Sequence, residues 1–140
     1  MRVVPYTTQM LDAGRQSEIR GSFYVSNVLP GFSGIAFRLS RVGNPGAFAV
    51  KFGSHPGEAD IGEARISAND VRTAGDSWYS ARLRLPVKLN PARDYYFEIG
   101  AESGHAPQDG YLVYGPSPLG GADYPSSFSV SFRVLGKDER

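Results

Sequence analysis

A period of two governs this chain. In residues 128–134, Phe128, Val130, Phe132 and Val134 alternate with Ser129, Ser131 and Arg133. Successive side chains of a β-strand point to opposite sides, so such a run sets its apolar residues on a core and its polar residues in water. Residues 34–42 repeat the pattern, with Ile35, Phe37 and Leu39 opposed to Ala36, Arg38 and Ser40. Residues 47–52 oppose Phe48, Val50 and Phe52 to Ala47, Ala49 and Lys51. Residues 78–85 set Tyr79, Ala81, Leu83 and Leu85 against Trp78, Ser80, Arg82 and Arg84. In residues 95–99, Tyr95, Phe97 and Ile99 face in, while Tyr96 and Glu98 face out. Further strands are expected at 3–7, 19–25, 61–66 and 111–114. Residues 67–72 offer a single helical turn at most, with Ser67 as N-cap and Asp70 at N3.

Turn chemistry separates the runs. Gly43-Asn44-Pro45-Gly46 lies between two of them, so 34–42 and 47–52 are expected to pair as a hairpin. Similar breaks occur at 53–57, at Asn90-Pro91 and at 115–121. The chain as a whole holds 27 glycines and prolines in 140 residues, about 19% where about 12% is usual. Eight or nine short strands, each bounded by turns, predict an all-β chain. The expected architecture is an antiparallel, jelly-roll-like β-sandwich forming one domain over 1–140.

Several function classes fall away. There is no cysteine, hence no disulfide, cysteine nucleophile or thiolate metal site. No apolar run is long enough for a membrane-spanning helix, and the first residues carry no signal-peptide core. The net charge is +1, so no overall attraction to nucleic acid is expected. The two histidines, His55 and His105, lie in turn sequences. No metalloprotease, phosphate-loop or nucleophile-elbow motif occurs. Glu58, Asp60, Glu63, Asp70 and Asp76 cluster beside turns. They read first as turn and surface residues, and only second as a carboxylate pair for glycoside hydrolysis or as ligands of a structural Ca²⁺. No catalytic residue is assigned and no cofactor is expected.

The outward aromatics are the better lead. Trp78 and Tyr96 fall on the solvent side of their strands. One of Tyr111 and Tyr114 must face out, because they differ by three. Tyr124 lies in the loop 120–126. Flat rings stack on sugar rings, and Arg82 and Arg84 supply hydrogen bonds, so the candidate ligand-binding set is Trp78, Tyr96, Tyr111, Tyr114, Tyr124, Arg82 and Arg84. Arg38 and Arg133 share the outward parity of Arg82 and Arg84. This arginine stripe would suit a uronic-acid glycan, since guanidinium forks grip carboxylates. The plainer reading is preferred: a solvated face balanced by Glu98 and other acids.

Three segments carry a resemblance: GFSGIAFRLSRVGNPGAFAVKFG at 31–53, SWYSARLRLPVKLNPARDYYFEI at 77–99, and GYLVYGPSPLGGADYPSSFSVSFRV at 110–134. Together they resemble the jelly-roll, carbohydrate-binding-module-like accessory domains of bacterial glycoside hydrolases and polysaccharide lyases. The step into the tyrosine strand, Leu89-Asn90-Pro91-Ala92, departs mildly from the Leu-Pro-Gly usual there. The resemblance implies a non-catalytic module that binds a polysaccharide or oligosaccharide through Trp78, Tyr96, Tyr111, Tyr114 and Tyr124. It equally allows a structural domain that braces the catalytic domain of a parent enzyme. Either way the expectation is a piece of a longer, secreted or cell-surface protein. A near-neutral, aromatic-studded surface is expected to suit sugars better than polyanions.

Overall fold

The computed structural model describes residues 6–13, 19–75, 77–105, 107–116 and 130–136. Nine strands occur: β1 (Tyr6–Leu11), β2 (Ile19–Val25), β3 (Leu29–Val42), β4 (Phe48–Gly53), β5 (Gly62–Ile66), β6 (Ser77–Leu89), β7 (Arg93–Ala101), β8 (Gly110–Pro116) and β9 (Phe132–Leu135). Each coincides with or overlaps a run expected from alternation. The expected start of the last run, Phe128, lies outside the described residues. A 3₁₀ turn, Ala68–Asp70, follows Ser67, whose side chain makes no capping hydrogen bond.

The strands form two antiparallel sheets. The front sheet runs β1-β8-β3-β6, with β9 also on β3, and the back sheet runs β2-β7-β4-β5. The ladders β1–β8, β2–β7, β3–β6 and β4–β5 are those of one long hairpin rolled up on itself. That is the strand order of a jelly roll. Strand β8 pairs with β3 through Val113, and β9 takes over the same edge from Phe132. The Ser131 amide donates to the Tyr114 carbonyl where the two meet.

The expected hairpin over 34–52 does not form. β3 belongs to the front sheet and β4 to the back, so the chain crosses the sandwich at Gly43–Gly46. Gly43 adopts φ 67°, the Asn44 amide donates to Asp109 Oδ1 at 2.7 Å, and the Gly46 amide donates to the Ser103 carbonyl at 2.9 Å. Long-range hydrogen bonds tip this turn out of the sheet plane. Only β4 and β5 are consecutive partners in one ladder.

A second departure lies in β6. Phe32 pairs with Val87 and Gly34 with Arg82, so between these pairs one residue of β3, Ser33, faces four of β6, residues 83–86. The extra residues bulge outward. Leu85, expected in the core by alternation, is therefore 75% exposed. The same irregularity flips the parity of β3, so Phe32 and Ile35 are both buried although they differ by three.

The core is a chain of aromatic rings shared by both sheets. Phe37 of the front sheet meets Phe48 and Phe97 of the back sheet edge-on, with centroids 5.6 and 5.3 Å apart. Phe32 meets Phe52, Phe48 meets Tyr111, and Phe97 meets Phe132 in the same edge-to-face manner. Edge-to-face geometry places a positive ring edge on a negative face and adds to the hydrophobic gain. Phe97 fits because its β2 partner is Gly21; a Cβ there would lie 2.3 Å from the Phe97 ring.

Candidate functional site

The outer face of the front sheet carries the densest aromatic and cationic cluster. Its rows follow from the register: Trp78 opposes Arg38, Ser80 opposes Ala36, and Arg82 opposes Gly34 across β6 and β3. On the other side of β3, Arg133 opposes Ala36. The Arg133 guanidinium nevertheless lies over the Trp78 ring, 4.2 Å from its centroid. It must cross β3 to get there, which is possible because the residue beneath is alanine. The crossing side chain helps leave Ala36 only 4% exposed. The Arg38 guanidinium lies 5.9 Å from the same ring centroid. Such contacts contribute about 0.5–2 kcal/mol each.

Two hydroxyl contacts flank the cluster. Ser40 Oγ and the Tyr114 hydroxyl are 3.2 Å apart. Ser33 Oγ donates to the Gly136 carbonyl at 2.8 Å and accepts from Arg82 Nη1 at 3.5 Å.

Trp78, Tyr114 and Arg82 thus share one face, and Arg84 is exposed beside them in the β6 bulge. Tyr96 lies on the outer face of the back sheet, across the sandwich, about 10 Å of sheet spacing away. Its neighbours there are charge-balanced: Arg20 pairs with Glu98, Lys51 opposes both Glu63 and Glu98, and Arg65 pairs with Glu102. A shallow depression of about 160 Å³ lies over Gly100 between Ala49, Lys51, Glu98 and Ala101. Tyr124 lies outside the described residues.

Tyr111 is fully buried, so Tyr114 is the outward member of that pair. The Tyr111 hydroxyl donates to the Gly46 carbonyl at 2.7 Å, which anchors the loop that crosses between sheets. Burial pushes its pKa from 10.0 up to about 12. Its contribution to stability is therefore complete below pH 10 and is lost as pH climbs toward 12. Melting curves from pH 9 to 12 are expected to fall above pH 10. Tyr111→Phe should flatten that fall and cost about 1 kcal/mol at pH 7, the value of one buried hydrogen bond.

Of the acids near 54–76, Asp60 serves a turn and Glu63 lies in β5 opposite Lys51. Asp60 accepts from Ser54 Oγ at 2.6 Å and from the Ser54 amide at 2.9 Å. These bonds hold its carboxyl below the usual range. His55 and His105 are exposed. Among the described residues no three His, Asp or Glu side chains gather as a metal site would need. Asp76 lies outside them.

Glu98 lies in β7 of the back sheet, so it does not balance the arginines of the front sheet. The front strands contain Arg38, Arg41, Arg82, Arg84, Lys88 and Arg133 and no acidic residue. The back strands contain Arg20, Lys51, Arg65 and Arg93 with Glu63, Asp94 and Glu98. The near-neutral total conceals a sorted charge. Alternation marks Arg38 and Arg133 as outward, but their meeting at Trp78 depends on β9 lying beside β3, a pairing across nearly a hundred residues.

No protein-family model matches the chain, and no curated protein matches it in sequence.

Proposed function

We propose that this domain is a non-catalytic carbohydrate-binding module whose binding surface is the outer face of the front sheet. The observation that carries the reading is the Trp78 cluster: one indole with two guanidinium groups against it, beside Arg82 and Tyr114, on a five-stranded sheet. A preformed face avoids the entropy of ordering a loop on binding. Tyr114 and the indole edge supply apolar contact to a sugar ring, and the arginines donate to its oxygens. Arg133 already covers part of Trp78, so hydrogen bonding outweighs bare ring stacking here.

A second reading, a domain that braces a neighbouring catalytic domain, draws on one observation. The β6 bulge presents Leu85 and Pro86 to solvent, an apolar knob on an edge strand.

Affinity electrophoresis through gels containing neutral and acidic plant, algal and bacterial polysaccharides tests the first reading. Retardation by at least one polymer is expected, with Trp78→Ala weakening it tenfold or more. If no polymer retards the domain, the binding reading fails and the bracing role remains.

A further inference from the structure

We infer that the front face takes an acidic polysaccharide, with Arg133 and Arg82 each holding a carboxylate of a different uronic-acid residue along an extended chain. This rests on the carbohydrate-binding reading above and names its ligand class.

Three observations carry it. The first is the charge sorting: strands that carry Arg38, Arg82, Arg84 and Arg133 toward this face and contain no acidic residue favour anions there, whatever the net charge of the whole chain. The second is the state of Arg133. A guanidinium lying on a ring keeps its N–H donors in its own plane, around the rim and away from the ring. Arg133 is exposed, and its guanidinium carbon lies 4.2 Å from the Trp78 ring centroid, so its head group is gathered on this face with donors that can meet a planar carboxylate. The third is spacing. Arg133 leans toward the Trp78 row, whereas Arg82 reaches toward Ser33 at the other end. The rows toward which they lean, those of Trp78 and Arg82, are four residues apart along β6, about 13 Å at the usual rise per residue. One small anion cannot bridge both, but a polymer with regularly spaced carboxylates can. A base-stacking ligand fits less well, because Arg133 occupies the Trp78 ring.

The test compares polygalacturonate with its carboxyl-reduced counterpart, in which each carboxylate has become a hydroxymethyl group and the sugar backbone is unchanged. Affinity electrophoresis and calorimetry at 50 and 200 mM salt provide the readout. The expected result is at least tenfold tighter binding to polygalacturonate, weakening with salt. Monomeric galacturonate should bind at least a hundredfold more weakly than the polymer. Arg82→Gln and Arg133→Ala should each lower affinity about tenfold. Arg133→Lys should recover little of it, because an ammonium lacks the fork. Arg20→Gln, on the back sheet, should change affinity less than twofold. Arg82 is exposed, so its variant keeps the test decisive even if Arg133→Ala unfolds. Equal binding to the carboxyl-reduced polymer overturns this inference and leaves the carbohydrate reading standing. Retention by neither polymer, nor by any neutral polysaccharide, overturns both. Equal or tighter binding to heparin or to a single-stranded oligonucleotide overturns the carboxylate assignment and marks a general polyanion surface.

Discussion

Phe37→Ala is expected to lower the unfolding free energy by about 3–5 kcal/mol, the cost of emptying a phenylalanine site in a closed core. Phe37 is fully buried and bridges the two sheets through Phe48 and Phe97. Removing it leaves a void where the front and back layers meet, and two rigid rings cannot collapse to fill it. A domain of this size has about 5–15 kcal/mol in total, and no disulfide supplements it. Urea denaturation checks the loss, as a lower midpoint with an unchanged slope. Leu85→Ala is the informative comparison. Strict alternation from Tyr79 would place Leu85 in the same core, and its truncation would then cost about 2–5 kcal/mol. With Leu85 75% exposed in the bulge, the change should stay within about 0.5 kcal/mol. Similar losses for both variants would refute the bulge.

Gly34→Val should cost about 2–4 kcal/mol, from backbone strain and overpacking combined. Gly34 has φ 143°, a region that side chains other than glycine's rarely enter. A Cβ there would lie 2.0 Å from the Ala81 carbonyl oxygen and 2.9 Å from Arg82 Cα. Both are backbone atoms of β6, so no rotamer change relieves the clash. The strand must move, and with it the Arg82 row of the front face. The variant should therefore lose thermal stability and, if it folds, polysaccharide affinity as well. Gly100→Ala in β7 is the matched control. An added Cβ meets nothing within 4 Å, and the melting temperature should stay nearly unchanged. A Gly34 variant as stable as the Gly100 variant would mean that β3 and β6 do not approach as described.

The functional consequence of the fold lies in how it divides the surface. Tyr96 and Trp78 look equivalent along the chain: each is an aromatic residue of outward parity next to a strand of core residues. The jelly roll sends β6 to the front sheet and β7 to the back, so the two rings look in opposite directions. Arg82 and Glu98 are separated in the same way. The stripe of arginines, read along the chain as balanced, falls on strands that contain no acidic residue, which is why the proposed ligand is an acidic rather than a neutral sugar.

By local alternation the sequence itself locates the strands to within a few residues and most of the side chains that fill the core, Leu85 being the exception. Alternation is imposed by the backbone within each strand, so Phe37, Phe48 and Phe97 could be placed without knowing any partner. It likewise located the reversals, through Gly43–Gly46 and Asn90-Pro91. Which sheet receives each strand is set by long-range pairing. A turn specifies that the chain reverses, but pairing within a sheet or crossing to the other depends on distant ladders such as β3–β6 and β3–β9. Two further features depend on the same long-range register. The mismatch between β3 and β6 ejects Leu85, and the seating of β9 beside β3 carries Arg133 over Ala36 onto Trp78. The outer faces of the two sheets share one local periodicity, so no local signal could tell the charged face from the balanced one.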